Sequence, residues 1–232
     1  MNQIYNQSLV IVPAFNEEGS VGSVVSGVRE LGLNILVVDD HSTDLTKEEA
    51  LDHGALVLGL ASQLGSWGAI QTGLRYALKN GYSYGVTMDA DGQHPPESLP
   101  ALLCPDILRS FDVIIGSCPE RVSPLRKIAW KWFRHISSTK FQDPTSGLRA
   151  YNRPAMKLML DKKAYMFDYQ DMGVLLLLKK HGFRIKEIPV EMLPRKIGHS
   201  RVFNSWFNVC KYMAVTSSLS ACKFRQKCKR RV

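Results

Sequence analysis

Two carboxylates stand two residues apart in Asp89-Ala90-Asp91, directly after residues 84–88, which are typical of a buried strand. Two such anions repel each other and are costly to remove from water. A divalent cation offsets that cost, because Mg²⁺ and Mn²⁺ prefer oxygen ligands and commonly bind substrate phosphates as well. The pattern therefore predicts a Mg²⁺ or Mn²⁺ site at Asp89 and Asp91, to which Gln93 could add a neutral oxygen.

Polar residues also follow two earlier apolar segments. Residues 9–12 lead into Pro13-Ala14-Phe15-Asn16-Glu17, and residues 34–38 lead into Asp39-Asp40. Ligands of open parallel sheets lie beyond the carboxyl ends of the strands, so the three clusters are expected to converge on one site. The alternative is that each aspartate only caps the following helix. Three such clusters in succession favour a functional site.

Strands and helices alternate over the first half of the chain. The spacing of apolar residues predicts strands at 9–12, 34–38, 55–60 and 84–88, and helices at 17–31, 43–53 and 68–80. This order indicates parallel βαβ units. A GxGxxG motif after the first strand and a GxxxxGK[ST] motif are both absent, which disfavours dinucleotide-binding and P-loop proteins.

The composition fits a globular α/β domain. The 232 residues carry a formal charge of +9, but residues 1–191 are nearly neutral and residues 192–232 hold ten Lys and Arg and no acid. The content of 45% hydrophobic and 22% charged residues excludes a disordered or collagenous chain. Five cysteines without a CxxC pair argue against a zinc site or disulfide framework. With no signal peptide in the sequence, we expect a cytoplasmic protein.

The C-terminal end predicts contact with a membrane surface. Residues 203–222 place Phe203, Trp206, Phe207 and Met213 at helical spacing, and a cluster of Lys and Arg follows. An aromatic amphipathic helix beside basic residues favours peripheral attachment to an anionic membrane. The alternative is packing on the protein core or on a partner subunit. Nucleic acid is disfavoured, because the basic residues are terminal while the domain is near neutral.

Six motifs occur in an order that resembles a known family. They are VIVPAFNEE, VVDDHSTD, GAIQTGLRYA, MDADGQHPP, DPTSGLRAYNRP and EIPVEMLPRKIGHSR. Together they resemble family-2 glycosyltransferases with a GT-A fold, in particular the dolichol-phosphate mannosyltransferase-like and polyprenyl-phosphate group, over residues 9–202. The resemblance implies a single Rossmann-like α/β domain at 1–202 with a mainly parallel central sheet. Residues 203–232 would add the amphipathic helix and basic tail.

The resemblance also implies a nucleotide-diphosphate-sugar donor, inverting transfer and a set of donor-binding residues. Carried over by position, they are Pro13, Phe15, Glu17 and Asp39 in the nucleoside pocket, Asp40 near the ribose, Asp89 facing the nucleotide, and Asp91 with Gln93 holding the metal on the diphosphate. Asp91 is thereby one of two expected catalytic residues.

Two acceptors remain open at this point. A saccharide hydroxyl would require a general base, for which the resemblance indicates Asp171 as the second catalytic residue. A polyprenyl phosphate is already ionised and needs no base; the arginines expected to position it are Arg121, Arg126, Arg195 and Arg201. Arg149 would either face the reacting phosphates or fix its own loop.

Two departures from the family pattern motivate a further alternative. Ser117-Cys118-Pro119 replaces a common Ser-Arg-Tyr, and Gly65-Ser66-Trp67-Gly68 replaces a common Gly-Lys-Gly. A catalytically silent protein that binds nucleotide sugars is therefore also consistent with the sequence. Nothing in the sequence indicates an oligomeric state.

Overall fold

Seven strands form one sheet in the computed structural model, which describes residues 2–119, 141–162, 164–165 and 172–194. In chain order they are β1 (Ser8–Ala14), β2 (Asn34–Asp39), β3 (Leu56–Gly59), β4 (Tyr84–Thr87), β5 (Val113–Ser117), β6 (Arg149–Asn152) and β7 (Ile185–Pro189). Their order across the sheet is β3-β2-β1-β4-β6-β5-β7. β6 runs antiparallel to both of its neighbours, whereas the other pairs are parallel. The predicted mainly parallel central sheet is confirmed.

The helices of the described residues cover both faces of this sheet. They are α1 (Asn2–Asn6), α2 (Val21–Glu30), α3 (Thr46–Asp52), α4 (Gly65–Lys79), α5 (Leu99–Leu102), α6 (Pro105–Ser110), α7 (Arg153–Met159) and α8 (Met172–Lys180), with a 3₁₀ turn at Pro96–Ser98. β1 shows the result most directly: Val10 and Val12 enter one core with α2, whereas Leu9 and Ile11 enter the other with α4. A strand buried on both faces reads as a continuous apolar run, as the sequence of β1 does.

Three helices begin at residues other than those expected. α2 begins at Val21 rather than 17 and α3 at Thr46 rather than 43, while α4 begins at Gly65 rather than 68. In each case the first N–H groups of the helix, or those just before it, are bound by side chains from another loop, as described below. The predicted helix at 203–222, and with it the 203–232 segment, lies outside the described residues.

Asp112 joins three strands at the amino end of β5, away from the polar clusters. Its carboxylate accepts hydrogen bonds from the Arg184 N–H (2.8 Å), the Arg184 guanidinium (3.3 Å) and the Asn152 amide (2.9 Å). Partial burial acts to raise the pKa of Asp112, but these hydrogen bonds and the charge of Arg184 lower it overall. The ionised form therefore stabilises the fold.

We expect Asp112→Ala to lower the free energy of unfolding by about 1–2 kcal/mol at neutral pH, because three donors lose their acceptor. A group with a lowered folded-state pKa stabilises above its unfolded pKa of about 4, and this stabilisation is lost as the pH falls through the folded-state value. Urea unfolding of both proteins should show the difference shrinking below about pH 4. A difference that is independent of pH would contradict this role for the carboxylate.

Candidate active site

The strand order brings the three predicted polar clusters to one edge of the sheet. β2, β1 and β4 are neighbours, with Asp39 paired to Ala14 and Thr87 paired to Ile11. Because adjacent strands are about 4.8 Å apart, β2 and β4 lie about 10 Å from each other across β1. We call this edge, formed by the ends of β1, β2 and β4, the carboxyl edge. Its width suits a ligand that spans several strands.

The loop after β1 is held by the loop after β2 through its own backbone. Asn16 adopts a left-handed conformation (φ 51°), and its side-chain oxygen accepts a hydrogen bond from the Thr43 N–H at 2.9 Å. Four consecutive backbone N–H groups of this loop also donate to side chains of residues 42–49. They are Asn16 N–H to Ser42 Oγ (2.9 Å), Glu17 N–H to Thr46 Oγ1 (2.8 Å), Glu18 N–H to Asp44 Oδ2 (3.2 Å) and Gly19 N–H to Glu49 Oε2 (2.6 Å). The segment carrying Phe15 and Glu17 is thus fixed relative to Asp39.

Asp44 sets the direction of the Thr46 hydroxyl within this contact. Asp44 Oδ1 accepts hydrogen bonds from the hydroxyl (2.5 Å) and from the N–H of Thr46 (3.1 Å). Burial acts to raise the pKa of Asp44, but hydrogen bonds from Thr46 and Glu18 lower it overall. Since the hydroxyl proton is directed at Asp44, the oxygen of Thr46 is left to accept the Glu17 N–H. Gly19 has a left-handed backbone (φ 82°), which a right-handed helix cannot include, so α2 starts after it and four residues later than expected.

Asp39 and Asp40 are both buried at the end of β2, but they have different contacts. Asp39 accepts a hydrogen bond from the Ser42 N–H at 3.1 Å. Asp40 uses both of its oxygens on the N–H groups of Leu64 (2.6 Å) and Gly65 (2.8 Å), which places a negative charge at the N-terminus of α4. Asp40 therefore fixes the start of that helix, and its expected position near a ribose stays a prediction.

Asp91 is buried in the turn that follows β4. Its Oδ1 accepts a hydrogen bond from the Gln93 N–H at 3.0 Å, and the Gln93 carbonyl accepts one from the Leu193 N–H at 2.6 Å. Asp89 lies against Gly147: a Cβ placed on Gly147 would be 2.5 Å from Oδ1 and 2.6 Å from Cγ of Asp89. The predicted metal ligands are therefore set by backbone contacts from two distant segments.

These side chains suit a hard cation that also binds a ligand. Among the residues that the structure describes, no three His, Cys, Asp or Glu side chains lie close enough to hold a metal by themselves. Mg²⁺ is usually bound by one or two carboxylates together with substrate phosphates, so Asp89 and Asp91 are a suitable protein contribution. The role of Gln93 as an oxygen ligand stays a prediction.

His94 is a buried polar residue in the same turn. Its side chain is 1% exposed, and Nδ1 has no hydrogen-bond partner within the described structure. Burial lowers the pKa of His94 more than Asp91 and Asp143 raise it. The imidazole is therefore neutral at physiological pH, and it adds no positive charge that would compete with a cation at Asp91.

Residues 142–147 form a loop, here named the 142–147 loop, that crosses the sheet towards Asp89. Arg149 is fully buried and holds this loop by donating hydrogen bonds to the carbonyls of Ser146 (2.9 Å) and Pro144 (2.7 Å). The Thr87 hydroxyl donates to the Gly147 carbonyl at 2.8 Å. These contacts are those of a loop-fixing arginine; a contact between Arg149 and reacting phosphates stays a prediction.

Glu187 of β7 holds the other end of this loop; it begins the sixth motif, but no role was predicted for it. Its carboxylate accepts hydrogen bonds from the N–H groups of Gln142 (2.9 Å) and Asp143 (2.8 Å). Asp143 in turn accepts one from the Cys118 N–H at 3.3 Å. The contact joins residues more than forty positions apart, so local sequence patterns carry no signal for it.

Several predicted site residues lie outside the described residues. They are the expected base Asp171 and the arginines Arg121, Arg126, Arg195 and Arg201. Within the described part of the chain, no helix is both long enough and apolar enough to cross a membrane.

The chain belongs to glycosyl transferase family 2, whose model matches residues 9–166. It is 31% identical over 217 residues to the undecaprenyl-phosphate mannosyltransferase of Micrococcus luteus, covering 84% of this chain and 86% of that protein. It is 32% identical over 222 residues to the polyprenol monophosphomannose synthase of Mycolicibacterium smegmatis, covering 86% and 82%. These matches confirm the family read from the six motifs, and they identify the chain as a glycosyltransferase.

A solved structure supports the GT-A assignment of the fold. The glucosyl-3-phosphoglycerate synthase of Mycobacterium tuberculosis, crystallised with Mn²⁺, UDP-glucose and phosphoglyceric acid, superposes with a TM-score of 0.75. The alignment covers 95% of this chain and 83% of that one at 18% identity. The GT-A-like arrangement predicted from the resemblance is thereby confirmed.

Proposed function

We propose that this glycosyltransferase moves a sugar, with inversion, from a nucleoside-diphosphate donor to a lipid-linked polyprenyl phosphate. The observation that carries the proposal is the convergence of three polar strand ends at the carboxyl edge of a chain related to two polyprenyl-phosphate mannosyltransferases. Phe15, Glu17 and Asp39 would bind the nucleoside at the ends of β1 and β2. Asp89 and Asp91 would lie beside the diphosphate at the end of β4.

Asp89, Asp91 and Gln93 would hold Mg²⁺ or Mn²⁺ in this reaction. The bound cation would stabilise the negative charge that develops on the departing diphosphate. Buried Asp91 contributes negative charge in a position fixed by the Gln93 N–H. Support for the metal also comes from the M. tuberculosis structure, which was determined with Mn²⁺ and UDP-glucose.

The acceptor determines whether a base is needed. A lipid phosphate is ionised near neutral pH, so its oxygen attacks the anomeric carbon directly while the bond from that carbon to the diphosphate breaks. Arg126, Arg195 and Arg201 would position the phosphate. A hydroxyl acceptor would have to pass its proton to Asp171.

We also propose that residues 203–232 bring the enzyme to its lipid acceptor. The aromatic residues at helical spacing and the following basic cluster suit an anionic membrane surface. The enzyme would then be a peripheral protein on the cytoplasmic side of a membrane.

The acceptor assay tests the proposal. Purified protein would be given UDP- and GDP-linked sugars with Mn²⁺ and either undecaprenyl phosphate in vesicles or soluble saccharides. We expect a glycosyl-phosphoundecaprenol product whose anomeric configuration, read by NMR, is opposite to that of the donor. Asp171→Asn should leave this transfer largely intact. Transfer to saccharides alone, abolished in Asp171→Asn, would establish the hydroxyl alternative, and donor binding without turnover would establish the silent one.

A further inference from the structure

One row of side chains crosses four strands beneath the 142–147 loop. Thr87 pairs with Arg149, Arg149 with Ile115, and Ile115 with Glu187. Residues directly opposite each other on neighbouring strands project to the same face of a sheet. The polar members of this row, Thr87, Arg149 and Glu187, therefore approach the loop from the same side.

The three side chains bind different groups of the loop backbone. Glu187 accepts the N–H groups of Gln142 and Asp143 at the start of the loop. Arg149 and Thr87 donate to carbonyls further along it, at Pro144, Ser146 and Gly147. The acidic side chain thus accepts hydrogen bonds from backbone N–H groups of the loop, and the basic side chain donates to its carbonyls. Backbone polar groups are costly to bury without such partners.

The position of the 142–147 loop constrains the position of the Asp89 carboxylate, which belongs with Asp91 to the predicted metal site. Gly147 is so close to Asp89 that even a Cβ on this glycine would overlap the carboxylate. A displacement of the loop towards β4 would therefore move Asp89, and a displacement away would leave Asp89 without its neighbour. Through Leu193, the segment after β7 also holds the carbonyl of Gln93.

We propose that Glu187 is a positioning residue for the metal and diphosphate site, acting through the 142–147 loop on Asp89. The inference rests on the proposed function, because it needs Asp89 to serve a cation and a diphosphate. Glu187 itself lies on an edge strand, three strands away from β4 in the row, with β6 and β5 between them. Residues that hold metal ligands in place typically change metal affinity by about 10–100-fold when replaced.

The experiment compares three substitutions of Glu187 with a matched control. Glu187→Ala removes the acceptor, Glu187→Gln keeps an oxygen at the same distance, and Glu187→Asp keeps the charge on a shorter side chain. Asp112→Ala is the control, because Asp112 also binds a backbone N–H and bridges β5 to β7, but at the opposite end of these strands. Mn²⁺ binding would be titrated by electron paramagnetic resonance with UDP and with GDP, alongside kcat and KM for the donor and urea unfolding.

We expect Glu187→Ala and Glu187→Asp to weaken Mn²⁺ binding by about tenfold or more, and Glu187→Gln to restore most of it. Asp112→Ala should lose stability without a change in Mn²⁺ binding. If Glu187→Ala does not fold, the contrast between Gln and Asp makes the same test. Equal Mn²⁺ affinity in wild type and the Asp variant, or an equal loss in Asp112→Ala, would overturn the inference while leaving the proposed function standing. If wild-type protein fails to bind Mn²⁺ both in the presence of UDP and in the presence of GDP, the proposed function fails, and this inference fails with it.

Discussion

Replacing Gly147 with alanine should reduce sugar transfer by about 100-fold, the loss associated with a displacement of about 1 Å at a reacting centre. The added Cβ would overlap the Asp89 carboxylate, so this carboxylate would have to shift to make room. Gly147 does not have a left-handed backbone, so alanine imposes no backbone strain there. We therefore expect the free energy of unfolding to fall only by the usual cost of overpacking, about 1–3 kcal/mol.

Gly59→Ala is the matched control for this change. Gly59 ends β3, has an ordinary backbone conformation and has open space where a Cβ would be. Initial rates of donor consumption and urea unfolding should be measured for both variants. Normal activity in Gly147→Ala would show that the position of Asp89 is not critical, whereas a large loss of stability would show that Gly147 serves the fold instead.

Replacing Asp91 with asparagine should lower donor turnover by about 1,000-fold, corresponding to about 4 kcal/mol of charge stabilisation. Asparagine keeps an oxygen that can accept the Gln93 N–H, so the turn after β4 should survive. Only the negative charge beside the proposed cation is lost. We expect Mn²⁺ binding to weaken in parallel with turnover.

Asp106→Asn makes the same chemical change at an exposed site. Asp106 is 89% exposed and lies 3.7 Å from Arg109 on α6, a pair of the kind that contributes little. The activity and Mn²⁺ dependence of Asp106→Asn should match those of wild type. If Asp91→Asn responded to Mn²⁺ as wild type does, the assignment of a metal site to this carboxylate would be wrong.

The position of the carboxyl edge could be predicted because it depends on local patterns. The apolar runs stop at Pro13, before Asp39 and at Met88, and thereby show where strands end. The alternation of strands and helices indicates that the strands are parallel. Parallel neighbours present their carboxyl ends on the same side, so the three clusters had to meet. The structure places them on adjacent strands.

The helix starts could not be predicted in the same way. Periodicity shows which residues face the core, but a helix begins where its first N–H groups find acceptors. For α4 these acceptors are the oxygens of Asp40, more than twenty residues earlier in the chain. Asp44 and Thr46 have the corresponding effect on the segment before α2.

The contacts that Glu187 and Gly147 make could not be predicted from the sequence either. Glu187 is one acidic residue in an amphipathic strand, and nothing nearby shows that it binds residues 142 and 143. Gly147 resembles any loop glycine until its approach to Asp89 is seen. Both contacts depend on the reversed direction of β6, which the βαβ pattern of the first half does not contain.

Because β6 runs in the opposite direction, the site is formed both by segments that follow strands and by a loop that precedes a strand. Residues 15–17, 39–40 and 89–91 leave strands at this edge, but the 142–147 loop enters one there. The long connection from Ser117 to Arg149 begins and ends on the same side of the sheet, so insertions or deletions within it need not alter the pairing of β4 with β6. Over evolution, the length of this connection can accordingly change while the ends of β1, β2 and β4 keep their arrangement.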